Sequence, residues 1–404
     1  MDLKSGYPYW AIKNGLMQAF PPLRQDRRCE VAVIGGGISG ALIANELAGH
    51  GHEVVVVEQR DIGWGSSAAS TALLQYEIDT PMTELAERYG EPEAALAYGA
   101  CAEAIAQLQA IAAELRDLDF ARMRSLYYAS RLRHVPPLQQ ELALRRRHGY
   151  AVSWLTPDAL RRDYGIVAPG AILSQLGACI DPYRTAYRLF ARLQKRGAGV
   201  FDRSCIERIE PTPRGVTLRT ADGVQLRAAH VVMAAGYASQ HWLGQRVARN
   251  RSSYAFITDP LDAAALQGLS DTMAWESARP YLYLRKTGDD RLLVGGEDDA
   301  IDIPARRDAR VQRKSRRLVK KVARAIPGLT LEPAFAWAGT FAETADGLPF
   351  FGPHTQYGPR VHFAMAYGGN GISYSMAGAG LIRALIERRR HPLAALFSFA
   401  RLDR

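Results

Sequence analysis

The apolar residues of this chain change period from segment to segment, and the changes outline its elements. Val31-Ala-Val-Ile34 is a short continuous apolar run that ends in Gly35-Gly-Gly37. Ala41, Ala44 and Ala48 then line one side of a helical repeat, with Ile43 and Leu47 adding apolar contacts, and Val54-Val-Val-Val57 repeats the strand-like run. The pattern predicts a strand, a helix from Ile38 to Leu47 closed near Gly49 or Gly51, and a second strand. Residues 83–118 are alanine-rich, and Ile105, Leu108, Ile111 and Leu115 recur at helical spacing, which is core packing rather than a site. Arg122 to Arg133 reads as strand, and Val135 to Arg147 as a turn followed by a helix. Thr156-Pro157-Asp158 and Asp181-Pro-Tyr-Arg-Thr185 each set a capping residue before a first-turn proline and so open two more helices.

Beyond Gly197 the pattern shortens. Val200 to Glu210, Gly215 to Thr220 and Val224 to Ala228 predict strands, with an Asp222-Gly223 hairpin between the last two. His230-Val-Val-Met233 is a buried strand running into Ala234-Ala-Gly236. Residues 250–303 are β-rich again, at Ser253 to Ile257, Tyr281 to Arg285 and Arg291 to Gly295. A basic helix from Arg306 to Arg324 packs through Val311, Ser315, Leu318, Val319 and Val322, which leaves its Lys and Arg residues on a solvated face. Phe335 to Thr340, Asp346-Gly-Leu-Pro-Phe-Phe-Gly352, Val361 to Ala366, and Gly368-Gly-Asn-Gly371-Ile-Ser-Tyr-Ser375 entering a final helix to about Glu387 complete the chain. An aromatic, proline-bearing arm, residues 1–29, precedes the first strand.

With 404 residues, 48% of them hydrophobic and 23% charged, the chain can form two or three well-cored domains. A formal charge of +10 raises nucleic acid as a partner, but no basic motif is interleaved with aromatics, so no nucleic-acid binding is expected. Attraction of an anionic substrate or partner remains open. Cys29, Cys101, Cys179 and Cys205 are scattered without a C-x-x-C pair and read as reduced thiols; no metal-ligand spacing occurs, so no metal is expected. No segment approaches the roughly 20 apolar residues of a membrane helix. The start, Met1-Asp-Leu-Lys4, lacks the basic and apolar runs of a signal peptide. The expectation is a cytoplasmic protein without an integral membrane segment.

The chemistry lies in Val31-Ala-Val-Ile-Gly35-Gly-Gly37-Ile-Ser-Gly40, with Glu58 at the end of the second strand, 23 residues beyond Gly35. Strand, glycine turn, helix, strand and terminal acid form a dinucleotide-binding unit. The glycines allow a tight turn, approach to a pyrophosphate and close helix packing, while the acid accepts ribose hydroxyls. This unit alone does not choose between FAD and NAD. After Glu58, the small-residue, hydroxyl-rich loop Gly65-Ser66-Ser67-Ala-Ala-Ser70-Thr71 can bond phosphate oxygens or admit a planar ring.

Taken in order, the glycine motif with Glu58, the Gly65-Ser-Ser67 loop, Val231-Val-Met-Ala-Ala-Gly236, Asp346-Gly-Leu-Pro349 and Gly368-Gly-Asn-Gly371 resemble the FAD-dependent D-amino acid oxidase superfamily. The resemblance runs from about residue 30 to residue 385, and the arm and Ser70–Asp79 look most like γ-glutamylputrescine oxidase-like members. It implies an α/β (α+β) fold with a Rossmann-like FAD-binding domain of glutathione-reductase type and an interleaved antiparallel-sheet substrate domain. The expected segments are 30–85, 155–245 and 335–404 for FAD, and 86–154 and 246–334 for substrate. By the resemblance, Gly35, Gly37, Ile38, Ser39 and Gly40 hold the pyrophosphate, Glu58 the adenosine ribose, and Gln59 also lies at the cofactor. Ser66 and Ser67 add phosphate or ribitol contacts, and Thr71, Ala72 and Leu73 lie along the isoalloxazine. Ile206 pairs with adenine, Ala235 and Gly236 leave the strand near the cofactor or merely turn the chain, and Gly369, Asn370, Gly371 and Ile372 meet the pyrimidine end. Non-covalent FAD is expected, since no cysteine stands near Thr340-Phe341-Ala342 and no histidine near Gly65-Ser66.

The implied reaction is hydride transfer from the carbon beside an amine to flavin N5, followed by hydrolysis of the imine, with oxygen or an electron carrier reoxidising the flavin. The chain departs from amino-acid oxidases at two arginine positions, where it has Phe341 and Gly369. An α-carboxylate clamp is therefore in doubt unless Arg285 replaces it. Glu77, Glu343, Tyr281 and Tyr283 remain near the expected flavin, and carboxylates with aromatic faces suit a cationic amine. The sequence reading thus favours an amine or polyamine derivative over a simple D-amino acid. Asp346 reads as a turn cap. Alternatives are a dehydrogenase passing electrons to a quinone or carrier, a non-catalytic flavin-binding subunit, and a flavin monooxygenase, for which no second nucleotide motif is found.

Overall fold

The computed structural model describes residues 2–300, 302–365 and 367–403; Ala366, expected to end a strand, lies outside them. Two sheets organise the chain. The first carries the strand order Phe350–Pro353, Val361–Met365, Gln225–Met233, Arg27–Ile34, Val54–Val57 and Gly199–Phe201, with Gly215–Thr220 and Ile206–Thr212 as an antiparallel extension. Val31–Ile34 lies parallel and in register between Val54–Val57 and His230–Met233. Its strands read as unbroken apolar runs because both faces are covered, and all four valines of Val54–Val57 are buried. The Ile38–Gly49 helix packs against the Pro182–Lys195 and Gly371–Ile386 helices. The two strands expected at Val224–Ala228 and His230–Met233 are one: its first half pairs antiparallel with Gly215–Thr220 while its length runs parallel to Arg27–Ile34.

The second sheet has ten strands, in the order Lys4–Gly6, Pro333–Glu343, Arg249–Thr258, Leu292–Asp299, Leu282–Lys286, Thr272–Glu276, Ala121–Tyr128, Ala171–Cys179 and Leu73–Leu74, with Val152–Leu155 also paired to Ala171–Cys179. Pairing is antiparallel except between Thr272–Glu276 and Ala121–Tyr128. Ala171–Cys179 and Pro333–Glu343, expected with the FAD segments, lie in this second sheet. Conversely, the Glu91–Leu115 helix, expected on the substrate side, packs on Gly371–Ile386. Strand pairing is non-local, so boundaries drawn from motif positions cannot tell which sheet a strand joins. Thr272–Glu276 escaped notice because its first four residues are buried and show no alternation.

Local chemistry sets several boundaries. The alanine-rich stretch breaks into Met82–Tyr89 and Glu91–Leu115 at Gly90, whose φ of +97° precedes a proline in the next first turn. Thr156 Oγ1 accepts from the Ala159 amide and Asp181 Oδ1 from the Arg184 amide, as the capping pattern predicts. All four cysteines are free.

The arm is woven into the fold. Trp10 is buried, and its Nε1 donates to Ser70 O at 2.6 Å. Arg307, counted by the sequence pattern on the solvated face of the basic helix (Pro304–Ala325), is instead buried beneath the arm. It donates to Ser5 Oγ at 2.7 Å, to the Asp2 and Lys4 carbonyls at 2.9 and 3.0 Å, and to Asp302 at 2.7 Å. Lys314 of the same helix is also buried, 2.9 Å from Asp299. Among the described residues no helix is long and apolar enough to cross a membrane, and no cluster could hold a metal.

Candidate functional site

A cavity of about 650 Å³ is lined by residues of both sheets. At one end the first strand turns through Gly35, with φ +121°, into the helix that begins at Ile38. A Cβ on Gly35 would lie 2.3 Å from Ala234 O, and one on Gly40 would lie 1.9 Å from Gly35 O. Gly35 thus admits the turn beside Ala234. Gly40, absent from the lining, seats the helix on the strand. Ser67 Oγ accepts from the Ile38 amide at 2.9 Å and so ties the serine loop to the helix N-terminus. Ser66 Oγ donates to Thr340 O at 3.2 Å, joining that loop to the second sheet.

Glu58 accepts the Gly36 amide at 2.6 Å and the Arg60 amide at 2.9 Å. Burial raises its carboxyl above the ordinary range, against the pull of those amides. Of the residues expected at a cofactor, Gly35, Gly37, Ile38, Ser39, Glu58, Gln59, Ser66, Ser67, Thr71, Ala72, Leu73, Ile206, Ala235, Gly236, Gly369, Asn370, Gly371 and Ile372 all line this one cavity. Ala72 holds a left-handed φ of +52°, a strained setting for a residue with a Cβ, and its amide donates to Ser70 Oγ at 3.1 Å.

The other end is aromatic and acidic. Trp275, Tyr281 and Tyr283 line it, with Trp275 stacked on Tyr127 at 3.6 Å between centroids and edge-on to Tyr281 at 6.2 Å. Phe341, Glu343 and Glu77 also line the cavity. Glu343 is ion-paired with Arg251. Glu77 is buried, its Oε1 3.5 Å from Arg145 and its Oε2 without a hydrogen-bond partner. Arg145 also meets Glu141 at 2.8 Å. Burial pushes both carboxyls up, and in Glu141 alone do Arg145 and the Met82 and Thr83 amides overcome it. Arg145 opens a run of three arginines, yet it is fully enclosed.

Arg285, considered as a carboxylate clamp, does not line the cavity. It is buried and donates through Nε to Thr71 O at 2.9 Å, behind the wall. Asp346 does cap its turn: it accepts the Leu348 amide at 3.1 Å and the Thr344 hydroxyl at 3.0 Å, and it meets Arg401 at 2.6 Å.

Sequence reasoning missed Asp79, Trp275 and Asp298. Asp79 accepts the Gly369 amide at 2.7 Å and so pins the C-terminal glycine loop to the cavity wall. Asp298 follows Gly296 and Glu297, whose φ values are +134° and +57°, where the pairing of Leu292–Asp299 with Arg249–Thr258 slips between Ser252 and Tyr254. A bulge of this kind re-aims side chains. Its one readable signal is the acidic run Gly295-Gly-Glu-Asp-Asp299 after an apolar strand.

A family model described as FAD dependent oxidoreductase (DAO) matches residues 30–385. The chain belongs to this family. It is 26% identical over 392 residues to gamma-glutamylputrescine oxidoreductase of Escherichia coli K12, a match that covers 94% of this chain and 88% of that protein. Identity to the glycine oxidase of Geobacillus kaustophilus is also 26%, over 377 residues, with 90% and 94% covered. The crystal structure of glycine oxidase from Geobacillus kaustophilus superposes with a TM-score of 0.75 at 23% identity, covering 92% of this chain and 98% of that one. The L-proline dehydrogenase structure from P. horikoshii gives 0.76 at 18%, covering 94% and 98%. The protein is an FAD-dependent oxidoreductase with the fold of these enzymes.

The cavity suits FAD on its own geometry. The Gly37–Ser39 amides stand at a helix N-terminus, where phosphate is stabilised, and Glu58 borders the cavity at the end of the second strand. At the far side a second helix N-terminus begins at Gly371, suited to negative charge on a reduced ring.

Proposed function

We propose that this chain oxidises a C–N bond of a cationic amine, an amine or polyamine derivative rather than a simple amino acid, and holds its FAD non-covalently. The carrying observation is the composition of the far end of the cavity. Asp79, Asp298 and Glu343 meet Trp275, Tyr281 and Tyr283 there, while Arg285 is turned away behind Thr71. Carboxylates and aromatic faces favour a cation, and no guanidinium among the residues lining this end forks toward an α-carboxylate; Arg279 stands beside them with its Nη2 donated to the Asp79 carbonyl. Bound FAD supplies the acceptor for the hydride that leaves the carbon beside nitrogen, and the imine hydrolyses in water. Gly35, Gly37–Ser39, Glu58, Ser66, Ser67 and the Gly369–Ile372 loop would hold the cofactor. Relatives named for γ-glutamylputrescine and for glycine span both substrate classes, and the acidic end favours the first.

Anaerobic titration of the yellow holoprotein with putrescine, γ-glutamylputrescine, sarcosine, glycine and D-alanine tests this reading. Bleaching by an amine without an α-carboxylate is the expected result. Bleaching by the amino acids alone would overturn the substrate class. No bleaching by any of them would favour a non-catalytic flavin subunit. Peroxide formed on readmitting air would mark an oxidase, and its absence with fast quinone reduction a dehydrogenase.

A further inference from the structure

We propose that Asp298 receives the substrate's ammonium group and takes a proton from it, a role that rests on the amine reading above. Of the four carboxylates at this end, Glu77 is paired with Arg145, Glu343 with Arg251, and Asp79 accepts the Gly369 amide. Asp298 lines the cavity with a buried Oδ1 that has no hydrogen-bond partner. The backbone that aims it is strained: Glu297 holds a left-handed φ of +57°, and a Cβ on Gly296 would lie 1.9 Å from Tyr281 O. Strain of this kind collects where a side chain has work at a site. Glu297 itself points away, to Lys321 at 3.0 Å and Lys314 at 3.6 Å.

The groups that act on Asp298 come from four elements. Asp79 and Glu343 bring like charge, Arg279 brings opposite charge, Tyr281 and Tyr283 border it, and the Ser253 hydroxyl, 3.2 Å from the Tyr283 hydroxyl, draws its titration down. Burial, with Asp79 and Glu343, pushes the carboxyl up to about 6 against the pull of the Ser253 hydroxyl. A general base is most useful when its titration lies near the working pH. The step balances. An N–H bond of the ammonium breaks, its electron pair stays on nitrogen, and an O–H bond forms on Oδ1. The carboxylate and ammonium become a neutral acid and a neutral amine, so no net charge is created in the cavity. The lone pair released on nitrogen is the pair that closes the C=N bond as hydride departs.

The test uses holoprotein and two readouts. Tetramethylammonium, a fixed cation without a proton, is titrated by calorimetry between pH 5 and 8. Wild type should bind it about tenfold more tightly at pH 7.5 than at pH 5, as expected for a carboxyl ionising near 6. D298N should bind weakly and without pH dependence. S253A, which keeps the carboxyl, should move the midpoint to higher pH and serves if D298N fails to fold. Stopped-flow bleaching by the reactive members of the amine panel should slow below pH 6 in wild type, and its limiting rate should fall at least a hundredfold in D298N. Wild-type binding and pH profile in D298N, or an unmoved midpoint in S253A, would overturn the assignment. If wild type is bleached by no amine, the amine reading fails, while the tetramethylammonium arm still decides whether Asp298 holds a cation.

Discussion

Two glycines of the same helix separate cofactor geometry from propensity. Gly40 faces the Gly35 carbonyl with no room for a Cβ, whereas Gly49 has nothing within 4 Å of the Cβ it lacks. G40A should push the helix off the strand, lower Tm and abolish yellow colour in the purified protein. G49A should retain FAD and gain up to about 1 kcal/mol, because alanine restricts the unfolded chain and favours helix. Thermal melts and the flavin spectrum of both variants check this together; a yellow, stable G40A would refute the packing account. Single residues were legible where their role is to shape local backbone, as at Gly35, or to end a helix, as at Thr156 and Asp181. Asp298 was not, because its direction depends on a slip in pairing with a strand some forty residues earlier in the chain.

At the scale of elements, the arm is held by one buried guanidinium. Arg307 joins Ser5 and the Asp2 and Lys4 carbonyls to Asp302, and Leu3 lines the cavity that the arm borders. R307A would leave the buried Asp302 without its ion pair, a loss of about 3–5 kcal/mol for a broken buried pair. The expected outcome is a lower denaturation midpoint and faster release of FAD on dilution, with R307K recovering part of both. Release at the wild-type rate would show that the arm does not help retain the cofactor. The basic segment is helical and buries Val311, Leu318 and Val322, as its apolar stripe predicts. Arg307 lies outside that stripe and is buried all the same. Periodicity sorts side chains around one helix axis and carries no information about an arm that returns from elsewhere to cover it.

For the whole molecule, pH should act on stability through two groups of opposite sign, the half-buried Asp298 and the buried His362. The folded state holds the Asp298 carboxyl up at about 6, above its unfolded value, so it favours the protonated form. Stability from this group is present below the unfolded value and is lost as pH rises through about 6, by at most about 3 kcal/mol in the ligand-free protein. D298N should therefore be more stable than wild type at pH 7.5 and no more stable at pH 4. Equal denaturation midpoints at both pH values would refute this. His362 works the other way. Burial and the neighbouring His230 hold its imidazole down to about 3, so stability is lost as pH falls below the unfolded histidine range.

The sequence by itself determined the nucleotide-binding turn, the helix caps, the cofactor class and the family, because each rests on residues close along the chain or on backbone demands that glycine alone meets. The tertiary structure decided which sheet each strand joined, that Gly40 is packed against Gly35 outside the cavity lining, that Arg285 is withdrawn from it, and that Asp79, Trp275, Asp298 and Glu343 share one end of a cavity. Those four residues come from four separate segments, and only the pairing of distant strands, with a bulge in one of them, brings their side chains to the same space.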